Sequence, residues 1–71
     1  MKWSPREYDR LERAVARGDR VRLWRGGNDV IVVPQRVGLE FGVEMLTARH
    51  AGTGDSLQVE IDDIEAFEVL G

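Results

Sequence analysis

Five carboxylates crowd the C-terminal end of this chain: Glu60, Asp62, Asp63, Glu65 and Glu68. Oxygen donors at that density suit a divalent cation or a basic protein surface. The run lacks the spacing and central glycine of a calcium loop, so no metal site is expected. Docking on a basic surface of another protein is its favoured functional reading. Arg6, Arg10, Arg13 and Arg17 form a second charged set near the N-terminus. On a helix they fall within one narrow sector, where guanidinium groups can grip a phosphate backbone bidentately. The plain alternative is a solvated face partly neutralised by Glu7, Asp9 and Glu12, with Asp9 and Arg13 at the favourable i,i+4 spacing. A third set is Arg20, Arg22 and Trp24, which alternate outward on a strand. Trp24 could stack on a base or anchor a protein interface, or pack under the helix or against Trp3.

Nothing in the chain has the pattern of a catalytic centre. His50 is the lone histidine, and no serine, cysteine or second histidine stands at a spacing that would form a triad. The hydroxyls of Ser4, Tyr8, Thr47, Thr53 and Ser56 each have a local role in a cap, core, strand or turn. Gly26-Gly27 belongs to a hairpin turn rather than a phosphate-cradling elbow between strand and helix. A non-enzymatic protein without cofactor is expected.

The elements that must carry these residues begin with a well-marked helix at about residues 5–17. Ser4-Pro5-Arg6-Glu7 is a capping box with proline at the first helical position. Trp3 and Tyr8 stand at the two positions of a hydrophobic staple, and Gly18 where a left-handed cap belongs. Tyr8, Leu11 and Val15 share one stripe with Ala14 at its edge, so the four arginines are expected to point away from the body.

From Arg20 to Pro34 the chain reads as a hairpin, with Gly-Gly-Asn-Asp supplying the positive φ of its turn. Val21 and Leu23 would face the core. Pro34 ends the second strand or marks an edge. Gln35 to Gly42 is a short strand or an ordered loop, with Val37, Leu39 and Phe41 at a period of two. Val43 to His50 is a strand with apolar side chains on both faces. After a turn at Gly52-Thr53-Gly54-Asp55, Leu57, Val59 and Ile61 alternate with Ser56, Gln58 and Glu60. Asp62-Asp63-Ile64 interrupts the pattern, and Glu65 to Leu70 forms a last strand.

At 71 residues this is one domain, residues 1–71, that buries only ~60% of its unfolded surface. No cysteine can staple it, so homo-oligomerisation is one available aid. No apolar run approaches a membrane span and no signal-peptide core is present, so a soluble, cytoplasmic protein is expected. The net charge of -3 hides a polarity. Up to Arg36 there are nine basic and five acidic residues; from Val37 onward there are one and eight. This marks either separate binding faces or two halves that pair in the fold, and the second is the leading expectation. One helix followed by five short strands protects its edges most economically as a small barrel, with the helix over one open end. The first and last strands would close it, setting Arg20 and Arg22 near Glu65 and Glu68.

Glu7-Tyr8-Asp9-Arg10-Leu11-Glu12-Arg13-Ala14-Val15, a polar gap and Val21-Arg22-Leu23 together resemble the opening of small bacterial Sm-like (SH3-like barrel) proteins. Tyr8-Asp9-Arg10-Leu11-Glu12-Arg13-Ala14 is similar to the Tyr-Asp-x-Leu-Glu-x-Ala helix of the Rho-inhibitor family of antitermination proteins. Pro34, Leu46-Thr47-Ala48 and Ile61-Asp62-Asp63-Ile64 resemble the late segment of the WYL domain, a regulatory module of bacterial transcription factors. Glu44-Met45-Leu46 stands near the place of the tripeptide that names that domain. The resemblance implies a mainly β fold, a five-stranded SH3-like/Sm-like barrel with an N-terminal capping helix. It further implies a regulatory protein of the transcription or RNA machinery. In the Rho-inhibitor picture, Glu60, Asp62, Asp63, Glu65 and Glu68 occupy a basic RNA-binding surface on a protein partner. The alternatives are direct RNA or nucleotide binding through Arg6, Arg10, Arg13, Arg17, Arg20, Arg22 and Trp24, and a self-associating structural domain.

Overall fold

The computed structural model describes residues 3–71. Helix α1 spans Pro5–Arg17, as the capping signals predict. The Ser4 hydroxyl accepts the Glu7 N–H at 3.3 Å and donates to the Glu7 carboxylate at 3.0 Å. Glu7 therefore accepts a hydrogen bond from the cap's hydroxyl. At the other end Gly18 adopts φ 69°, and its N–H reaches the carbonyls of Ala14 and Val15. That conformation carries no Cβ penalty in glycine and stops the helix.

The strands are β1 (Val21–Arg25), β2 (Asn28–Glu40), β3 (Val43–His50), β4 (Ser56–Glu60) and β5 (Ala66–Val69). They form one antiparallel sheet in the order β4-β3-β2-β1-β5. The first and last strands do pair, with Val21 opposite Val69 and Leu23 opposite Phe67. No ladder joins β4 to β5, however, so the sheet is not closed. A 3₁₀ turn at Ile61–Asp63 fills the step between these two edge strands.

β2 departs most from expectation. It runs unbroken through Pro34, which lies fully buried in a central strand. The register shifts between Pro34 and Arg36, leaving Gln35 as an extra residue in a β-bulge. A bulge is one of the few interior places where a strand tolerates a missing N–H. It also changes the phase of the alternation. Val32 and Pro34 face inward before the bulge, and Val37 faces inward after it, opposite buried Leu46. The apolar period of two at Val37 and Leu39 thus belongs to the same strand as Val30 and Val32, displaced by one residue.

The core joins Leu11 and Ala14 of α1 to Val21, Leu23, Val32, Leu46, Ala48, Val59, Ile61, Ile64 and Phe67. On β3 the Leu46 and Ala48 face is the buried one. Ala14 sits deeper than its place at the edge of the stripe suggested, because α1 lies across β2 and reaches β5. Trp3 locks the helix entry to the body. Its ring stacks on Phe67 at 5.2 Å and meets Tyr8 at 5.1 Å, and its Nε1–H donates to the Ile61 carbonyl at 3.1 Å.

Candidate functional site

The acidic residues are placed by the 3₁₀ turn. Ile61 and Ile64 are buried, and the Ile64 N–H bonds the Ile61 carbonyl at 3.1 Å. Side chains three apart eclipse in this helix type, so both isoleucines enter the core and Asp62 and Asp63 are turned out to solvent. Glu60 ends β4, Glu65 precedes β5 and Glu68 lies within it; all three are exposed. The five carboxylates therefore mark the two edge strands and the link between them, where the sheet stays open. Their environments differ. The Glu65 carboxylate accepts the Gly27 N–H at 3.2 Å, and Asp63 borders a shallow depression with Arg25 and Asn28. Asp62 acts on the helix side, where its charge is felt by Tyr8.

The Tyr8 hydroxyl donates to the Glu44 carboxylate at 2.8 Å. That bond raises the phenol's pKa above its ordinary value. Burial and the negative charges of Glu44 and Asp62 push it the same way.

The helix arginines are all exposed. Arg13 pairs with Asp9 at 3.1 Å, as the spacing predicts. Arg10 does not point wholly away from the body: its guanidinium lies 5.2 Å from the Phe67 ring centre. Arg22 and Trp24 are half-buried and occupied with their own strand neighbours. The Arg22 guanidinium covers the Trp24 ring at 5.6 Å, and its buried Nε lies 3.1 Å from the Asp29 carboxylate, out of line for a hydrogen bond. Glu68 sits opposite Arg22 in the ladder, yet Asp29 takes the ion pair. Trp24 packs against Arg22, on the face of the sheet opposite Leu23, while Trp3 stacks on Phe67 and Tyr8.

Pairing of the two halves is the leading expectation for the charge polarity; β1 and β5 do meet, with Glu68 opposite Arg22, but among the described residues Arg36–Glu40 alone is an ion pair that joins the halves. The ion pairs among the described residues are Arg13–Asp9, Arg22–Asp29 and Arg36–Glu40. None involves Glu60, Asp62, Asp63, Glu65 or Glu68. The first two arginines find carboxylates within their own local segment, leaving the acidic rim without a cationic partner among the described residues.

His50 is the polar residue whose surroundings the sequence did not disclose. It ends β3 on the inward face, opposite Val32. Its Nδ1 accepts the N–H groups of Gly52 at 3.0 Å and Thr53 at 3.3 Å, and Thr53 Oγ1 accepts the Asp55 N–H at 3.2 Å. A depression of about 430 Å³ opens here, bordered by His50, Arg25, Asn28, Val30 and Asp55. The available signal was the alternation Leu46, Ala48, His50 along β3. With Nδ1 committed to the turn, the imidazole organises the loop, and no hydroxyl is hydrogen-bonded to it as a nucleophile would be. Among the described residues no three of His, Asp and Glu converge as metal ligands. No described helix is long and apolar enough to cross a membrane.

Comparisons with protein-family models, curated proteins and solved structures returned no match.

Proposed function

We propose that this domain is a non-enzymatic regulatory binding module. Its acidic rim, Glu60, Asp62, Asp63, Glu65 and Glu68, docks on a basic surface of a protein of the transcription or RNA machinery. The observation that carries the reading is that none of these exposed carboxylates forms an ion pair among the described residues. Charge placed at the rim of an interface chiefly raises the rate of encounter and selects the partner by sign. The same reading takes the sheet as an open member of the SH3-like/Sm-like barrel class, with α1 over one end and the 3₁₀ turn in place of a β4–β5 ladder. A cytoplasmic setting accords with it.

The test is affinity capture with the intact chain and with Asp62→Lys/Asp63→Lys. A partner held by the native chain should be lost from the double variant, and the native interaction should weaken as salt rises. Retention of the partner on charge reversal overturns the proposal.

A second reading is direct RNA or nucleotide binding. It is favoured by Arg6 and Arg17, which are exposed and form no ion pair among the described residues. It predicts affinity for single-stranded RNA that falls by roughly 0.7 log units per phosphate contact for each log unit of salt. No binding at low salt removes it.

A further inference from the structure

The exposed large hydrophobic side chains among the described residues are Leu39, Phe41 and Val43, and all three stand at the tip of the β2–β3 hairpin. Leu39 is 68% exposed, Val43 41%, and Phe41 fully. Phe41 is also the one non-glycine residue with positive φ among those described, at 52°, followed by Gly42 at 79°. Two left-handed residues in succession make a turn that favours Asn-Gly. A phenylalanine at the first position has its Cβ against the backbone. Here the unfavourable backbone and the exposed apolar ring belong to one residue, and the ring contributes nothing to the core. Such pairings mark surfaces built for contact.

The charge around this tip is mostly of one sign. Glu40 adjoins Phe41, Glu44 lies opposite Leu39, and Glu60 lies opposite Met45, two residues along β3 from Val43. The 3₁₀ turn that carries Asp62 packs against β3, on which Tyr8 holds Glu44. Arg36 offsets Glu40 at 3.8 Å.

We propose that Phe41 is an anchor that inserts into an apolar pocket on a partner protein, a pocket rimmed by lysine or arginine. Leu39 and Val43 flank the ring on opposite faces of the hairpin, so the pocket grips the tip from both sides, with Glu44 on Leu39's face and Glu60 on Val43's meeting the basic rim together with Asp62. The inference rests on the acidic docking reading and adds to it the apolar half of the partner's chemistry. Charge complementarity decides the occupant. A second copy of this chain, tip to tip about a two-fold axis, would set Glu40 and Glu44 against themselves.

The probe is a synthetic amphipathic helix of leucine flanked by lysine, titrated into the isotope-labelled chain and followed by NMR. Controls are the same helix with glutamate for lysine, and neutral phosphatidylcholine vesicles. Shifts should concentrate at residues 39–44 and at Glu60 and Asp62. Phe41→Asn should weaken the lysine helix at least tenfold while raising Tm by about 4–8 °C, because asparagine relieves the turn. A lower Tm in that variant shows Phe41 to be structural and overturns the inference. Binding kept by Phe41→Asn but lost by Asp62→Lys/Asp63→Lys overturns the anchor and leaves the acidic docking reading standing. Binding kept by both variants overturns the two together. Equal binding of the glutamate helix or of the vesicles overturns the basic partner.

Discussion

At Gly26–Gly27 and at Phe41–Gly42 the chain reverses through two successive left-handed residues, with φ 56° and 77° in the first turn and 52° and 79° in the second. The backbones are nearly the same, but their surroundings differ. The first turn is tied to the last strand: the Gly27 N–H reaches the Glu65 carboxylate, and the Glu65 N–H reaches the Trp24 carbonyl at 2.7 Å. Its outward side chains pack on each other, Arg22 over Trp24 and against Asp29. At the second turn the helix reaches only the flank, through Tyr8 and Glu44, while Leu39, Phe41 and Val43 project beyond the core. A residue type that merely satisfies the backbone stands where the hairpin serves the fold. A type that the backbone resists stands where the hairpin meets solvent.

The largest effect that would sharpen this contrast lies beneath the first hairpin. Leu23 is fully buried, and Leu23→Ala should cost about 2–5 kcal/mol in chemical denaturation, most of what a domain this small has. Next comes a transplant. Gly26→Phe reproduces the Phe-Gly turn in the first hairpin and should cost about 1–2 kcal/mol; equal stability would break the claim that the left-handed phenylalanine is strained.

The tie between α1 and the second hairpin is smaller and depends on pH. Tyr8 bonds Glu44 as a neutral phenol, and its folded pKa is raised above the ordinary value of about 10. Its contribution is therefore complete below that ordinary value and disappears as pH rises through the higher folded one. Thermal melts between pH 8 and 12 should show an alkaline loss in the native chain that Tyr8→Phe lacks. The smallest effect belongs to the second tip itself: Val43→Thr should move stability by less than about 0.5 kcal/mol, since the side chain is exposed. A loss comparable to that of Leu23→Ala would show that the tip is part of the core after all.

Legibility in the sequence followed the range of the interaction. The α1 boundaries, the extent of β3 and the inward face of Val59 and Ile61 were readable, because capping and alternation act within a few residues. The positive φ angles of the first turn fall on Gly26 and Gly27 alone, while Asn28 and Asp29 are already in β2, a matter settled by strand register. Pro34 looked like a strand end because the bulge at Gln35 exists only in relation to β3. For the candidate site, Asp62 and Asp63 were visible as an exposed pair between two apolar residues. The pairing of Arg22 with Asp29 rather than Glu68 was not, since both carboxylates flank β1 and side-chain geometry chooses between them.

By itself the sequence determined the helix with its caps, the number of strands and the inward faces of β1 and β4, since each follows from local backbone preference and hydrophobic period. Tertiary structure decided the rest: that β4 and β5 remain edges, that the acidic rim finds no arginine among the described residues, and that Phe41 stands out at a turn suited to asparagine. Those outcomes depend on which strands meet and in what register, and distances between residues far apart in the chain do not exist until the sheet has formed.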